Sequence, residues 1–209
     1  MPIMIDIFDI KPIKLNDVTC HSGGAAGSDT AWETLGEKFG VKTKAYSWKT
    51  PMHQSVNKVE ISQEDYNEGV IEVNKANKWL NRYGIHKYMS LLARNWAQVK
   101  YSKQVFAVGV IIKKGEKNSK GYYNKGKYDV IDGGTGYCCQ MAINHGREVF
   151  VYDLKKNKWF RWSYSTMQFV ENGKTPKITQ QDFAGVGTRE ITPEGVKAIE
   201  DVYKATFEK

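Results

Sequence analysis

A chain of 209 residues, 41% hydrophobic and 26% charged, can build one hydrophobic core and is too apolar for general disorder. Its 31 Lys and Arg against 23 Asp and Glu give a formal charge of +8, which favours anionic partners, nucleic acid among them. No stretch approaches the ~20 apolar residues of a membrane span, and the three cysteines, Cys20, Cys138 and Cys139, lack disulfide parity and metal-ligand spacing. The chain therefore reads as a cytoplasmic protein of one domain, 1–209, with reduced thiols.

Residues 1–13 alternate apolar and polar side chains without a long apolar run. A β-prone segment, Val18-Thr19-Cys20, then enters the run Ser22-Gly23-Gly24-Ala25-Ala26-Gly27-Ser28-Asp29, and a helix follows from Thr30, with Ser28 or Asp29 placed to cap it. Gly40 ends that helix, and residues 41–48 form a second strand of β-branched and aromatic residues. Tyr66, Val70, Val73, Ala76 and Leu80 hold helical spacing behind Ser62 and Asp65, which resemble a capping box. Asn81 to Gly84 break that helix. Tyr88, Leu91, Leu92, Trp96 and Val99 mark the next one, with Arg94 and Gln98 on a neighbouring face.

The nearly continuous apolar run 104–112 predicts a strand buried on both sides. Residues 113–127 hold six lysines and one glutamate among glycines and tyrosines and predict a flexible basic loop, either merely solvated or facing phosphate. Tyr128-Asp129-Val130-Ile131 then leads into Asp132-Gly133-Gly134-Thr135-Gly136 and a helix to His145-Gly146. A strand over 148–154 and a short edge strand over 158–162 come next. Last, Gly185, Gly187, Thr188 and Arg189 precede Thr192-Pro193-Glu194, an N-cap with proline at the first helical position, and a helix carrying Val196, Ile199, Val202, Tyr203 and Phe207.

Strand, glycine cluster and helix thus recur three times, the rhythm of a Rossmann-like α/β fold: three layers, a mostly parallel central sheet and helices on both faces. At the carboxyl end of a parallel strand, glycines let backbone N–H groups approach an anion while the following helix aims its positive dipole there. The expected ligand-binding residues are Ser22, Gly23, Gly24, Ala25, Gly27, Ser28 and Asp29 in the first loop; Gly133, Gly134, Thr135 and Gly136 in the second; and Gly187, Thr188 and Arg189 in the third. The same glycines would also serve tight turns that touch no ligand. Neither the P-loop pattern nor G-x-G-x-x-G is present, which argues against a Walker-type NTPase and against hydride transfer. His21, His53, His86 and His145 are scattered without ligand spacing, so neither a metal nor another cofactor is expected.

His21 to Asp29, Arg94-Asn95 with Val99, and Asp132-Gly133-Gly134-Thr135-Gly136 resemble the SLOG (LOG/Smf/DprA-like) Rossmannoid superfamily over most of the chain, and a free-standing phage-type member in particular. The resemblance implies that the first two loops cradle phosphates and that Arg94 and Asn95 face the ligand. One departure matters: the phosphoribohydrolases of that superfamily carry a glutamate a few residues after their glycines, where this chain has Tyr137-Cys138-Cys139-Gln140. Gln140 cannot act as a carboxylate, and no catalytic residue is assigned. The leading expectation is therefore a homo-oligomeric binder that sequesters a cyclic nucleotide or ADP-ribose-type immune signal, an anti-defence role. A nucleotide N-glycosidic hydrolase and a DprA-like binder of single-stranded nucleic acid are the two alternatives.

Overall fold

The computed structural model describes residues 17–50, 53 and 55–208; the alternating segment 1–13 lies outside them. Ten strands and five α-helices alternate along these residues: β1 (Thr19–Ser22), α1 (Ser28–Lys38), β2 (Lys42–Ser47), β3 (Lys58–Glu60), α2 (Gln63–Leu80), α3 (Met89–Lys100), β4 (Gln104–Gly109), β5 (Ile111–Ile112), β6 (Val130–Ile131), α4 (Thr135–Asn144), β7 (Glu148–Asp153), β8 (Lys158–Ser163), β9 (Gln168–Glu171), β10 (Asp182–Gly187) and α5 (Pro193–Phe207). Eight strands form one sheet in the order β3-β2-β1-β10-β4-β7-β8-β9. The first six run parallel, and β8 and β9 close the sheet as an antiparallel meander. The expected three-layer, mostly parallel Rossmann-like architecture is what forms.

Alternation along the central strands supplies both cores. Val105 and Ala107 of β4, with Val149 and Val151 of β7, face α2, α3 and α4. Phe106, Val108, Phe150 and Phe183 face α1 and α5, around Trp32, Ile199 and Tyr203. Both faces of a parallel strand are covered, so its run of apolar residues is unbroken.

Helix ends follow local chemistry. Ser62 accepts a hydrogen bond from the Asp65 amide at 3.0 Å, and Asn81 takes the left-handed conformation that ends α2. Thr192 does the same for α5, accepting from the Gly195 amide ahead of Pro193. α1 departs from expectation. It starts at Gly27 without a side-chain cap, because the Ser28 hydroxyl donates to the Thr188 carbonyl and the Asp29 carboxylate turns back into the preceding loop.

α2 and α3 approach backbone to backbone. A methyl group at Gly69 would lie 2.2 Å from the Ala93 carbonyl oxygen, so Gly69→Ala must spread the two helices. We expect a cost of about 2 kcal/mol, a loss of ~4–8 °C in thermal midpoint for a chain of this size. Melting followed by circular dichroism checks it, and an unchanged midpoint refutes the close contact.

Three expected elements differ. The strand predicted over 104–112 leaves the main sheet at Gly109, whose carbonyl accepts from the Leu154 amide; Ile111–Ile112 pair antiparallel with Val130–Ile131 in a separate ribbon. The second glycine loop therefore does not follow a strand of the main sheet. β8 is not an edge strand, since β9 pairs outside it. The lysine-rich segment, expected as a flexible loop, is a hydrogen-bonded hairpin: Gly115 and Asn124, Glu116 and Asn124, and Asn118 and Tyr122 pair across it. The buried Asn124 side chain donates to the Ile112 and Tyr128 carbonyls beneath it.

Candidate functional site

The chain leaves β1 for β2 and β3 on one side of the sheet, then crosses to β4 on the other, with β10 inserted between β1 and β4. Open parallel sheets bind ligands outside the carboxyl ends of their strands at such a reversal of order. The first glycine loop leaves β1 at this place and the third leaves β10 beside it.

These two loops support each other. The Ser28 amide and hydroxyl both donate to the Thr188 carbonyl, at 3.0 and 2.8 Å, and the Thr188 amide donates to the Val108 carbonyl of β4 at 2.9 Å. An added Cβ at Gly27 would lie 2.3 Å from the Arg189 carbonyl oxygen, and one at Gly187 would lie 2.5 Å from the Ser28 hydroxyl. Gly27, Ser28, Gly187 and Thr188 are thus committed to packing loop on loop, whereas Arg189 is exposed at the rim. Ser22 is buried, its hydroxyl donating to the Asp29 carbonyl.

The middle of the first loop differs. Asp29 accepts from the Ala25 amide, while the amides of Gly24, Ala26 and Gly27 make no hydrogen bond among the described residues. Gly24 has φ +62°, a conformation costly for any residue with a side chain. Ala26 and Gly27 are adjacent, and neighbouring unpaired amides in a turn form an anion-binding concavity.

Behind the loop stands Arg94. It is only 7% exposed, and a Cβ on Gly23 would fall 1.8 Å from its guanidinium and 2.5 Å from both the Asp29 carboxylate and the Gln98 amide. Gly23 is therefore the opening through which α3 reaches the loop. With the Gln98 amide turned to satisfy its neighbours, its oxygen accepts from the Gly23 amide at 3.0 Å and from Arg94 at 2.7 Å. Among the described residues no carboxylate lies within 4.0 Å of Arg94. A buried cation without a contacting anion is costly. Burial lowers its pKa from the ordinary arginine value, and Asp29 opposes that shift. Burial in turn pushes the Asp29 carboxyl up to about 6, opposed by Arg94 and by the amides of Ala25, Gly187 and Gly23.

α3 also reaches the second loop. One residue past Arg94, the Asn95 amide donates to the Gly134 carbonyl at 3.4 Å. Arg82, just beyond α2, donates to the Gly133 and Ile131 carbonyls, both at 2.6 Å. With these carbonyls held from behind, the amides of Gly134 and Thr135 are left unpaired among the described residues. Gly136 packs on the Ile131 carbonyl, and Gly133 is exposed. The hairpin touches this loop as well, Asn118 donating to Asp132 at 3.0 Å. The structure thus joins the first and third loops directly and brings the second to them through α3.

Residue types gave no sign of Arg82 or His53. Gln98 carried one, its i, i+4 spacing from Arg94. Other candidates fall away from the crevice. His21 is buried between the Tyr46 hydroxyl at 2.9 Å and the Asp182 carboxylate at 2.8 Å. Gln140 donates to Asn144. The thiol of Cys138, pushed well up by burial, stays protonated. No group of three His, Cys, Asp or Glu among the described residues is arranged to hold a metal ion, and no helix among them is long and apolar enough to cross a membrane.

Comparison with protein-family models, with curated proteins and with solved structures finds no match to this chain.

Proposed function

We propose that this chain binds a phosphate-bearing nucleotide derivative, of the cyclic-nucleotide or ADP-ribose type, at the crevice formed by the three glycine loops, and holds it without turning it over. The observation that carries this reading is Arg94, buried, free of any contacting carboxylate and set behind a loop with three unpaired amides. A phosphate seated there would add to the partial counter-charge that Asp29 gives Arg94, accept from the loop amides and lie at the positive end of α1. Sequestration of a signal nucleotide, as in an anti-defence protein of a phage, is the role to which this and the motif resemblance lead.

One observation favours the hydrolase alternative. A carboxyl group with a pKa of about 6, as at Asp29, is tuned for general acid catalysis near neutral pH. Against it, the Asp29 carboxylate is directed at loop amides. The discriminating measurement is to load the protein with ADP-ribose, denature it by heat and analyse what is released. Intact ligand supports sequestration; cleaved ligand overturns it.

The second loop has its own test. Gly134 has an ordinary helical conformation and only Leu92 within 4 Å of an added Cβ, at 3.8 Å, so Gly134→Asp fits sterically. A carboxylate beside the unpaired amides of Gly134 and Thr135 should weaken ADP-ribose binding by about tenfold or more with an unchanged melting temperature. Wild-type affinity in calorimetric titration would remove this loop from the site.

A further inference from the structure

The lysine-rich hairpin is a charged surface that the glycine-loop crevice leaves unexplained. It is anchored to the body of the protein. Beneath it the Asn124 side chain donates to the Ile112 and Tyr128 carbonyls. The Lys127 amide donates to the Trp79 carbonyl at the end of α2 at 2.9 Å, and the Asn81 side chain donates to the Lys125 carbonyl at 3.2 Å. A Cβ on Gly126 would lie 2.8 Å from the same Trp79 oxygen. The returning arm of the hairpin is thus fastened to the end of α2.

Alternation along that arm separates two faces. Asn124 points into the protein, so its neighbours Tyr123 and Lys125, with Lys117 paired opposite Tyr123, stand on the outer face, where all three are exposed. Three ammonium groups of the hairpin lie over aromatic rings in succession: Lys117 over Tyr123 at 4.8 Å from the ring centre, Lys125 over Tyr83 at 5.7 Å and Lys127 over Trp79 at 4.5 Å. Tyr83 is still 81% exposed and Tyr123 57%, so ring surface stays open to a partner. Among the described residues, none of the ammonium groups of Lys113, Lys114, Lys117, Lys120, Lys125 and Lys127 lies within 4.0 Å of a carboxylate. The acids at hand are taken by other donors: Glu116 accepts from the Lys113 amide, Asp129 from the Lys114 amide, and Asp132 from the Asn118 side chain and the Gly133 amide.

Six cations held this close repel one another, and the fold sets no counter-charge against them. A diphosphate ligand carries too few charges to match them; a polyanion carries enough. The interleaved rings narrow the class further. An acidic peptide offers carboxylates without a flat face at each repeat, and a duplex keeps its base faces stacked inside, whereas a single strand presents phosphates and bases in alternation. We propose that residues 113–127, with Trp79 and Tyr83 beside them, are a docking surface for single-stranded nucleic acid, its phosphates paired with the lysines and its bases stacked on the rings. The surface uses no glycine-loop residue, so it stands or falls apart from the nucleotide reading above.

The test is fluorescence anisotropy of a labelled oligo-dT of about 12 nucleotides with the whole chain. Neutralising about six phosphates gives a slope of log affinity against log salt of about −4, so binding should weaken by about two orders of magnitude between ~50 and ~200 mM salt. The triple variant Lys117→Gln, Lys125→Gln, Lys127→Gln should halve that slope and lower affinity at ~50 mM salt by about a hundredfold. Tyr83→Ala with Tyr123→Ala should lose about tenfold with the slope kept. All five side chains are exposed, so both variants should melt with the wild type. Failure of the wild type to bind oligo-dT at ~50 mM salt overturns the proposal, as does wild-type affinity in either variant. Equal affinity for a duplex overturns it, because the rings then play no part, and equal affinity for polyglutamate overturns it, because phosphate then plays none. Saturating ADP-ribose should leave the oligonucleotide bound; its displacement would put the strand in the crevice instead of on the hairpin.

Discussion

Arg94→Gln is expected to lower affinity for ADP-ribose by about two orders of magnitude, close to ~2.7 kcal/mol, while leaving the fold intact. A hydrogen bond to a charged partner contributes about 1.5–3 kcal/mol, and Arg94 offers several donors with no carboxylate in contact. Stability responds in the opposite sense. A buried guanidinium costs desolvation, and a neutral side chain of similar length relieves part of that cost, so the glutamine variant should melt close to wild type. Arg94→Ala is different, because it empties the space behind Gly23. We expect it to cost about 2–3 kcal/mol, roughly 4–12 °C. Titration calorimetry and thermal melts on the two variants separate the effects. Near-wild-type binding in Arg94→Gln would mean that the buried charge serves packing alone.

Much of this arrangement is legible in the residues, for physical reasons that differ from place to place. The parallel strands announce themselves because a strand covered on both faces is apolar through its middle, as β4 is from Val105 to Val108 and β7 from Val149 to Tyr152. α2 and α5 carry both a periodic face and a cap, so their starts can be placed to the residue. The glycine loops are visible because close backbone approach excludes a Cβ. Their division of labour is not visible. Gly27 and Gly187 are glycines because two loops pack on each other, Gly23 because Arg94 enters beside it, and Gly24 because the backbone turns through positive φ under His53. Those four reasons depend on neighbours between 29 and 162 residues away in the chain, from Gly24 to His53 at the least and from Gly27 to Arg189 at the most.

The exit of the chain at Gly109 and the pairing of β5 with β6 are equally hidden. Ile111 and Ile112 continue the apolar run, and only the Leu154 amide bonded to the Gly109 carbonyl shows that the main sheet has ended. The seat of His53 on Gly24 gives no local signal because it depends on α1 holding Ser55 and Asn57 through Glu33. The expected cap at Ser28 or Asp29 failed for a related reason: partners elsewhere, the Thr188 carbonyl and the Ala25 amide, claim both side chains.

Asp29 sets the sign of the second large effect, a rise in anion affinity as the pH falls. Its carboxyl is held up to about 6, above the ordinary 3.8, chiefly by burial. The protonated form is therefore favoured by the fold: the stabilising contribution is present below pH ~4 and is lost as the pH rises through about 6, a difference on the order of 3 kcal/mol by linkage. The same titration governs the ligand. At pH 7.5 Asp29 is ionised and offsets part of the Arg94 charge; at pH 5.5 it is largely neutral and the site is more positive. The repulsion removed, for unit charges ~10 Å apart at an effective dielectric near 20, is on the order of 1–2 kcal/mol. ADP-ribose is the suitable probe because its diphosphate does not titrate over this range. Its affinity should rise about tenfold from pH 7.5 to 5.5, and binding near pH 6 should take up protons, measurable by calorimetry in buffers of different ionisation enthalpy. Asp29→Asn should bind as tightly at pH 7.5 as the wild type does at 5.5, with a flat profile. A profile that falls toward acid in the wild type, or one that persists in Asp29→Asn, would show that another group governs the site's charge.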